Sequence, residues 1–122
     1  MRLMCVTAHP DDEAGAFGGT LVLCARRGVV VNLICLTAGE SATHRGGART
    51  NHELCEMRRK ELAESARLLN ISHVDVLDYP DGGLDQLDFN SVVADLTLRM
   101  RRLRPQVVLT MGPEGAITAH PD

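Results

Sequence analysis

Tryptophan is absent from this 122-residue chain, and there are only one tyrosine and two phenylalanines. Lysine is nearly missing too: of 13 cationic residues, all but Lys60 are arginine. The arginines are scattered and aromatics make up 2% of the chain. A nucleic-acid surface needs clustered cations, and single strands add stacking rings, so that class is excluded. A formal charge of −3 gives no general attraction to anionic polymers or membranes. Four cysteines, Cys5, Cys24, Cys35 and Cys55, form no CxxC pair and no knuckle spacing. Cys5 and Cys35 fall inside apolar runs, where a buried reduced thiol is the ordinary reading. No apolar run approaches the ~18 residues of a membrane span. Residues 1–8 are too short for the apolar stretch of a signal peptide. Together these absences point to a reducing compartment, the cytoplasm. Low-complexity sequence and internal boundaries are also missing, so residues 1–122 read as a single domain.

What is present is ordinary globular usage, 44% apolar and 24% charged. Strand and helix patterns alternate. Arg2–Thr7 is a short apolar strand. Asp12–Arg27 has Pro10 and three acids at its start and Gly28 past its end, the marks of a helix. Residues 29–36 (VVVNLICL) read as a strand covered on both faces. Residues 38–50 form a long loop rich in Gly, Thr and Arg. A helix is expected over Asn51–Asn70, a strand over Val74–Leu77 and a turn over Tyr79–Asp85. A second long helix over Asn90–Leu103 is stopped by Pro105, and Gln106–Met111 is a fourth strand. This βαβαβαβ series implies parallel strands and right-handed crossovers. The fold class is α/β: a Rossmann-like three-layer α/β/α domain with strand order 3-2-1-4.

One tetrapeptide occurs twice. Ala8-His9-Pro10-Asp11 returns as Ala119-His120-Pro121-Asp122. The copies follow the first and fourth strands, which the order 3-2-1-4 makes neighbours. The crevice between them is the topological switch point, where ligands of open α/β sheets bind. In the first copy, His9 and Asp12 stand three residues apart at a strand-to-helix turn and are suited to a Zn²⁺ ion at ~2.0–2.2 Å. Asp11 between them would serve as base on a metal-activated water. The same residues also make a good helix start, with proline at the first position and acids in the first turn. His120 alone would read as a solvated loop residue; two such triplets at adjacent strand ends carry more weight.

These residues resemble the LmbE-like or PIG-L zinc deacetylases. That family includes the N-acetylglucosaminyl-phosphatidylinositol deacetylases and the deacetylases of mycothiol and bacillithiol synthesis. The opening motif is matched by Ala8 through Glu13, followed by a glycine-rich stretch from Gly15 to Thr20. Weaker matches are Thr37-Ala38-Gly39-Glu40, Arg58-Arg59-Lys60-Glu61 and Tyr79-Pro80-Asp81-Gly82. The closing motif is matched by Thr118-Ala119-His120-Pro121-Asp122. The resemblance implies an amide hydrolase that removes acetyl from a small N-acetylated amino sugar or its conjugate. It implies His9 and Asp12 as zinc ligands and Asp11 as general base. His120 would stabilise the oxyanion and protonate the leaving amine, with Asp122 orienting it. Arg58 and Asp81 would hold substrate hydroxyls or phosphate. Fe²⁺ or Co²⁺ would suit the same donors. No nucleic acid and no membrane segment are implied; self-association is open.

In that family the closing motif ends in a second histidine, the third metal ligand, which would follow Asp122. The chain therefore reads as the N-terminal portion of a longer protein, with weak metal binding and little activity on its own. The alternative is a nucleotide- or phosphate-binding module built on Gly15, Gly18 and Gly19. Three acids in the turn would repel such a ligand. His44 and Arg45, in the loop 38–50, are further candidates for substrate contact.

Overall fold

The fold is seen in a computed structural model that describes residues 1–112 and 120–122. Among the described residues, four parallel strands, β1 (Arg2–Thr7), β2 (Val30–Cys35), β3 (His73–Val76) and β4 (Val107–Leu109), form one sheet in the order β3-β2-β1-β4. The register sets Leu3 between Val31 and Val107 and Cys5 between Leu33 and Leu109. Successive side chains of a strand point to opposite faces. Leu3, Cys5, Val31 and Leu33 accordingly enter one core cluster with Leu21 and Leu62, while Met4, Val6 and Ile34 enter a second with Leu96 and Met100. Both faces of the central strands are thus covered, which explains their unbroken apolar runs.

The first cluster packs against α2 (Gly18–Arg26) and α3 (Asn51–Leu68), the second against α4 (Phe89–Leu103). Local chemistry places the helix ends. Thr50 accepts the Glu53 amide at 3.1 Å, and Glu53 accepts the Thr50 amide at 3.3 Å, closing a capping box at the start of α3. Asp88 accepts the Ser91 amide at 2.9 Å to start α4, and Pro105 follows its left-handed C-cap, Arg104.

The expected helix Asp12–Arg27 is not continuous. It is a single turn, α1 (Asp12–Gly15), then α2 from Gly18. Gly15, Gly18 and Gly19 each cost a helix interior about 1 kcal/mol relative to alanine. Breaking the helix there forgoes little and lets Phe17 pack on the first core cluster. Pro10 is not the first helical residue either, since Asp11 is the N-cap. Among the described residues, no helix is long and apolar enough to cross a membrane.

Candidate active site

The loop after β1 is pinned before it reaches α1. The Thr37 hydroxyl donates to the Ala8 carbonyl at 2.9 Å, and the Thr37 amide donates to the same oxygen at 3.0 Å. His9 follows, at the carboxyl ends of β1 and β4. Its ring centroid lies 4.5 Å from that of His120, with the planes at 74°. Topology does bring the two imidazoles to one crevice. Ala119 and Thr118, the other part of the closing motif, lie outside the described residues.

Carboxylates surround His9. Its Nε2 is 3.0 Å from Asp122 Oδ2 and 3.1 Å from Asp81 Oδ1, and its Nδ1 is 3.6 Å from Asp12 Oδ2. The Asp12 carboxylate also accepts the His9 amide at 2.9 Å. The hydrogen bond to Asp12, with help from Asp122 and Asp81 and against the effect of burial, raises the imidazole to about 9. Burial tends to raise Asp12, but the His9 ring and the His9 and Ala8 amides hold it below the usual carboxylate range. Burial likewise opposes Asp122, and the Leu84 and Gly82 amides and His9 bring it down.

Asp122 accepts the Gly82 amide at 2.6 Å and the Leu84 amide at 2.8 Å. Its carboxylate therefore reaches His9 and the turn after β3. Its link to His120 runs through its backbone instead, with the Asp122 amide 3.3 Å from His120 Nδ1. Asp81 lies in that same turn and accepts the Ser41 amide at 2.7 Å, tying it to the loop after β2.

Asp11 has the most unusual backbone. Its φ is 110°, in the left-handed region that L-residues with a Cβ seldom occupy. An aspartate at an N-cap normally accepts an amide of its own helix. Asp11 makes no such bond. Its side chain is 71% exposed and meets only the Arg58 guanidinium, at 3.0 Å, among the described residues. Arg58, on α3, also donates to the Pro10 carbonyl. Its Nε is buried with no partner among the described residues. Gly39 makes this fit possible: a Cβ there would stand 3.0 Å from Arg58 Nε and 3.2 Å from Pro10 Cδ.

A cleft of about 290 Å³ is lined by His9, Asp11, Arg58, Asp81 and His120, with Ser41 to Thr43 on its wall. Arg45 is turned elsewhere, donating to Asn51 at 2.9 Å. The donors suit a divalent transition metal. His9, His120 and Asp122 each offer a ligand atom, all within 4.8 Å of one another, and imidazole and carboxylate are ligand types zinc uses. Asp12 stands beside His9 and outside that trio. A phosphate cradle is not what the first βα turn offers. Acids fill it, while Gly18 and Gly19 belong to α2.

A family model for GlcNAc-PI de-N-acetylase (PIG-L) matches residues 4–122. The chain belongs to the PIG-L family. Within the reach of that family, it is 31% identical over 121 residues to the diacetylchitobiose deacetylase of Thermococcus kodakarensis, covering 99% of this chain and 44% of that protein. It is also 31% identical over 141 residues to the mycothiol S-conjugate amidase of Streptomyces coelicolor, covering all of this chain and 47% of the relative. The structure of the N,N'-diacetylchitobiose deacetylase of Pyrococcus horikoshii, complexed with its inhibitor MPG, superposes with a TM-score of 0.88 at 35% identity, over 98% of this chain and 44% of that one. The chain spans about half the length of the curated relatives it matches. The burial of Glu13 and the close approach at Gly39 are not legible from neighbouring residues. Both depend on where α3 passes, which local sequence does not state.

Proposed function

We propose that the protein is a metal-dependent N-deacetylase that hydrolyses an N-acetylated amino sugar or its conjugate to acetate and the free amine. The observation that carries this reading is the left-handed turn at Asp11. It denies the carboxylate to the helix cap and places it in the cleft that also holds His9 and His120. PIG-L membership, with relatives named as deacetylases of diacetylchitobiose and of N-acetyl-alpha-D-glucosaminyl L-malate, supports the substrate class.

His9 and Asp12 would hold the ion, with donors of His120 and Asp122 close by. When bound there, zinc, or Fe²⁺ or Co²⁺ in its place, polarises the amide carbonyl and acidifies water. The protein's own groups do the rest. Asp11 takes a proton from the attacking water as its oxygen adds to the carbonyl carbon. His120 hydrogen-bonds the developing oxyanion and delivers a proton to the amine nitrogen as the C–N bond breaks. Acid and base roles of this kind contribute about 10²–10⁴-fold each. Arg58 holds the Asp11 carboxylate in place, and Arg58 and Asp81 line the cleft where sugar hydroxyls would lie.

The test is acetate release from diacetylchitobiose by the metal-loaded full-length gene product. Asp11→Asn should lower turnover by about 10²–10⁴-fold with metal content unchanged by mass spectrometry. Full turnover in that variant would remove Asp11 as the base. A metal-loaded wild-type protein that cleaves no N-acetylglucosamine conjugate would remove the reading altogether.

A further inference from the structure

Glu13 is a carboxylate with 1% exposure, buried beneath the same turn. Its Oε2 accepts the Asp11 amide at 2.9 Å, and its Oε1 accepts the Ser65 hydroxyl of α3 at 2.5 Å. Burying a carboxylate is costly unless hydrogen bonds replace its water. An acid in the first turn of a helix needs no burial to favour the helix dipole. α1 has only four residues, so it offers little dipole to reward. The two bonds of Glu13 instead meet at the strained turn of Asp11. They hold the amide of Asp11, whose φ is 110°, to a helix more than fifty positions along the chain. A non-glycine residue in such a region is strained and persists only where its surroundings over-determine it. Arg58 secures the same turn from above, through the Pro10 carbonyl and the Asp11 carboxylate.

We infer that Glu13, set by Ser65, is a positioning residue that fixes the left-handed turn at Asp11 and so aims the Asp11 carboxylate into the cleft. The inference rests on the deacetylase reading and deepens it. Glu13 is buried and is not among the residues that line the cleft. Its effect passes through the backbone of Asp11, where a displacement of about 1 Å can cost about 10²-fold in rate.

The experiment compares Glu13→Ala, Glu13→Gln and Ser65→Ala in the full-length gene product. Glu13→Ala should lower kcat about 10²-fold, with KM within about threefold and metal per chain unchanged. Glu13→Gln keeps an acceptor for the Asp11 amide and a polar partner for Ser65, so its kcat should stay within about threefold of wild type. In the metal-free proteins, hydrogen exchange of the Asp11 amide should speed up by at least about tenfold in Glu13→Ala and not in Glu13→Gln. Ser65→Ala should show the same pattern at smaller amplitude and decides the matter if Glu13→Ala does not fold. The inference is overturned if Glu13→Ala, or Ser65→Ala in its place, keeps kcat at the wild-type level. It is equally overturned if Glu13→Gln is as slow as Glu13→Ala, or if lost metal accounts for the lost rate. A wild-type protein without deacetylase activity sinks the functional reading alone, and Asp11 exchange still reports whether Glu13 holds the turn.

Discussion

Gly39 occupies φ +72° and faces the Arg58 guanidinium and the Pro10 ring at close range. A methyl group there meets strain from the backbone and crowding from the residue that secures Asp11. Gly39→Ala should therefore destabilise the protein by about 1–3 kcal/mol and lower turnover beyond what that loss explains. Urea midpoints at unchanged slope, with kcat measured well below the transition, check both halves. Unchanged turnover would mean that Arg58 tolerates displacement. The meeting of His9 and His120 at one crevice was legible in the sequence. His9 and His120 are visible because the tetrapeptide repeats and each copy follows a strand. Glu13 and Gly39 were not legible in their roles. An acid two residues past a cap looks like any helix-start acid until α3 is known to cover it. The need for glycine at position 39 likewise comes from a side chain nineteen positions away.

Among the elements, the break between α1 and α2 shows where pattern reading stops. Acids at the start of residues 12–27 and Gly28 past their end suggest one helix. Propensity states only that three glycines make that helix expensive, not where it will part. The structure parts it at Ala16 and Phe17 and uses Phe17 in the core. Two glycines nearby then make opposite predictions. A Cβ at Gly19, inside α2, would meet nothing within 4 Å. Gly19→Ala should stabilise by up to about 1 kcal/mol. Gly28 has equal space but φ +78°. Gly28→Ala should destabilise by about 1 kcal/mol, because only the backbone is strained. Thermal melts of the pair should move in opposite directions, and a shared direction would contradict the helix boundaries described above. The strands were easier to read, because burial on both faces leaves continuous apolar runs that local chemistry does not interrupt.

For the whole molecule, the ionisable groups define a pH window. Without metal, His9 is raised from 6.5 to about 9, so its contribution is complete below 6.5 and is lost as pH climbs to about 9. The buried thiols of Cys5 and Cys35 are raised from 9.0 to about 12, chiefly by desolvation. Above pH 9.0 the unfolded chain ionises them and the folded one does not, so stability continues to fall towards 12. Asp12 and Asp122 are lowered and act at the other end: their contribution stands above 3.8 and disappears as pH drops through their folded values. The metal-free protein should accordingly be most stable in mild acid and weaken steadily into base. A metal at His9 must displace the proton that the surrounding carboxylates favour, so its binding should strengthen over the same interval in which the free protein weakens. Urea midpoints at about pH 5.5, 7 and 8.5, with chelator and with zinc, separate the two slopes. The chelated series should fall with pH and the gap between the series should widen. A gap that stays constant from acid to base would show that the ion does not compete for the His9 proton, and would move the metal away from that imidazole.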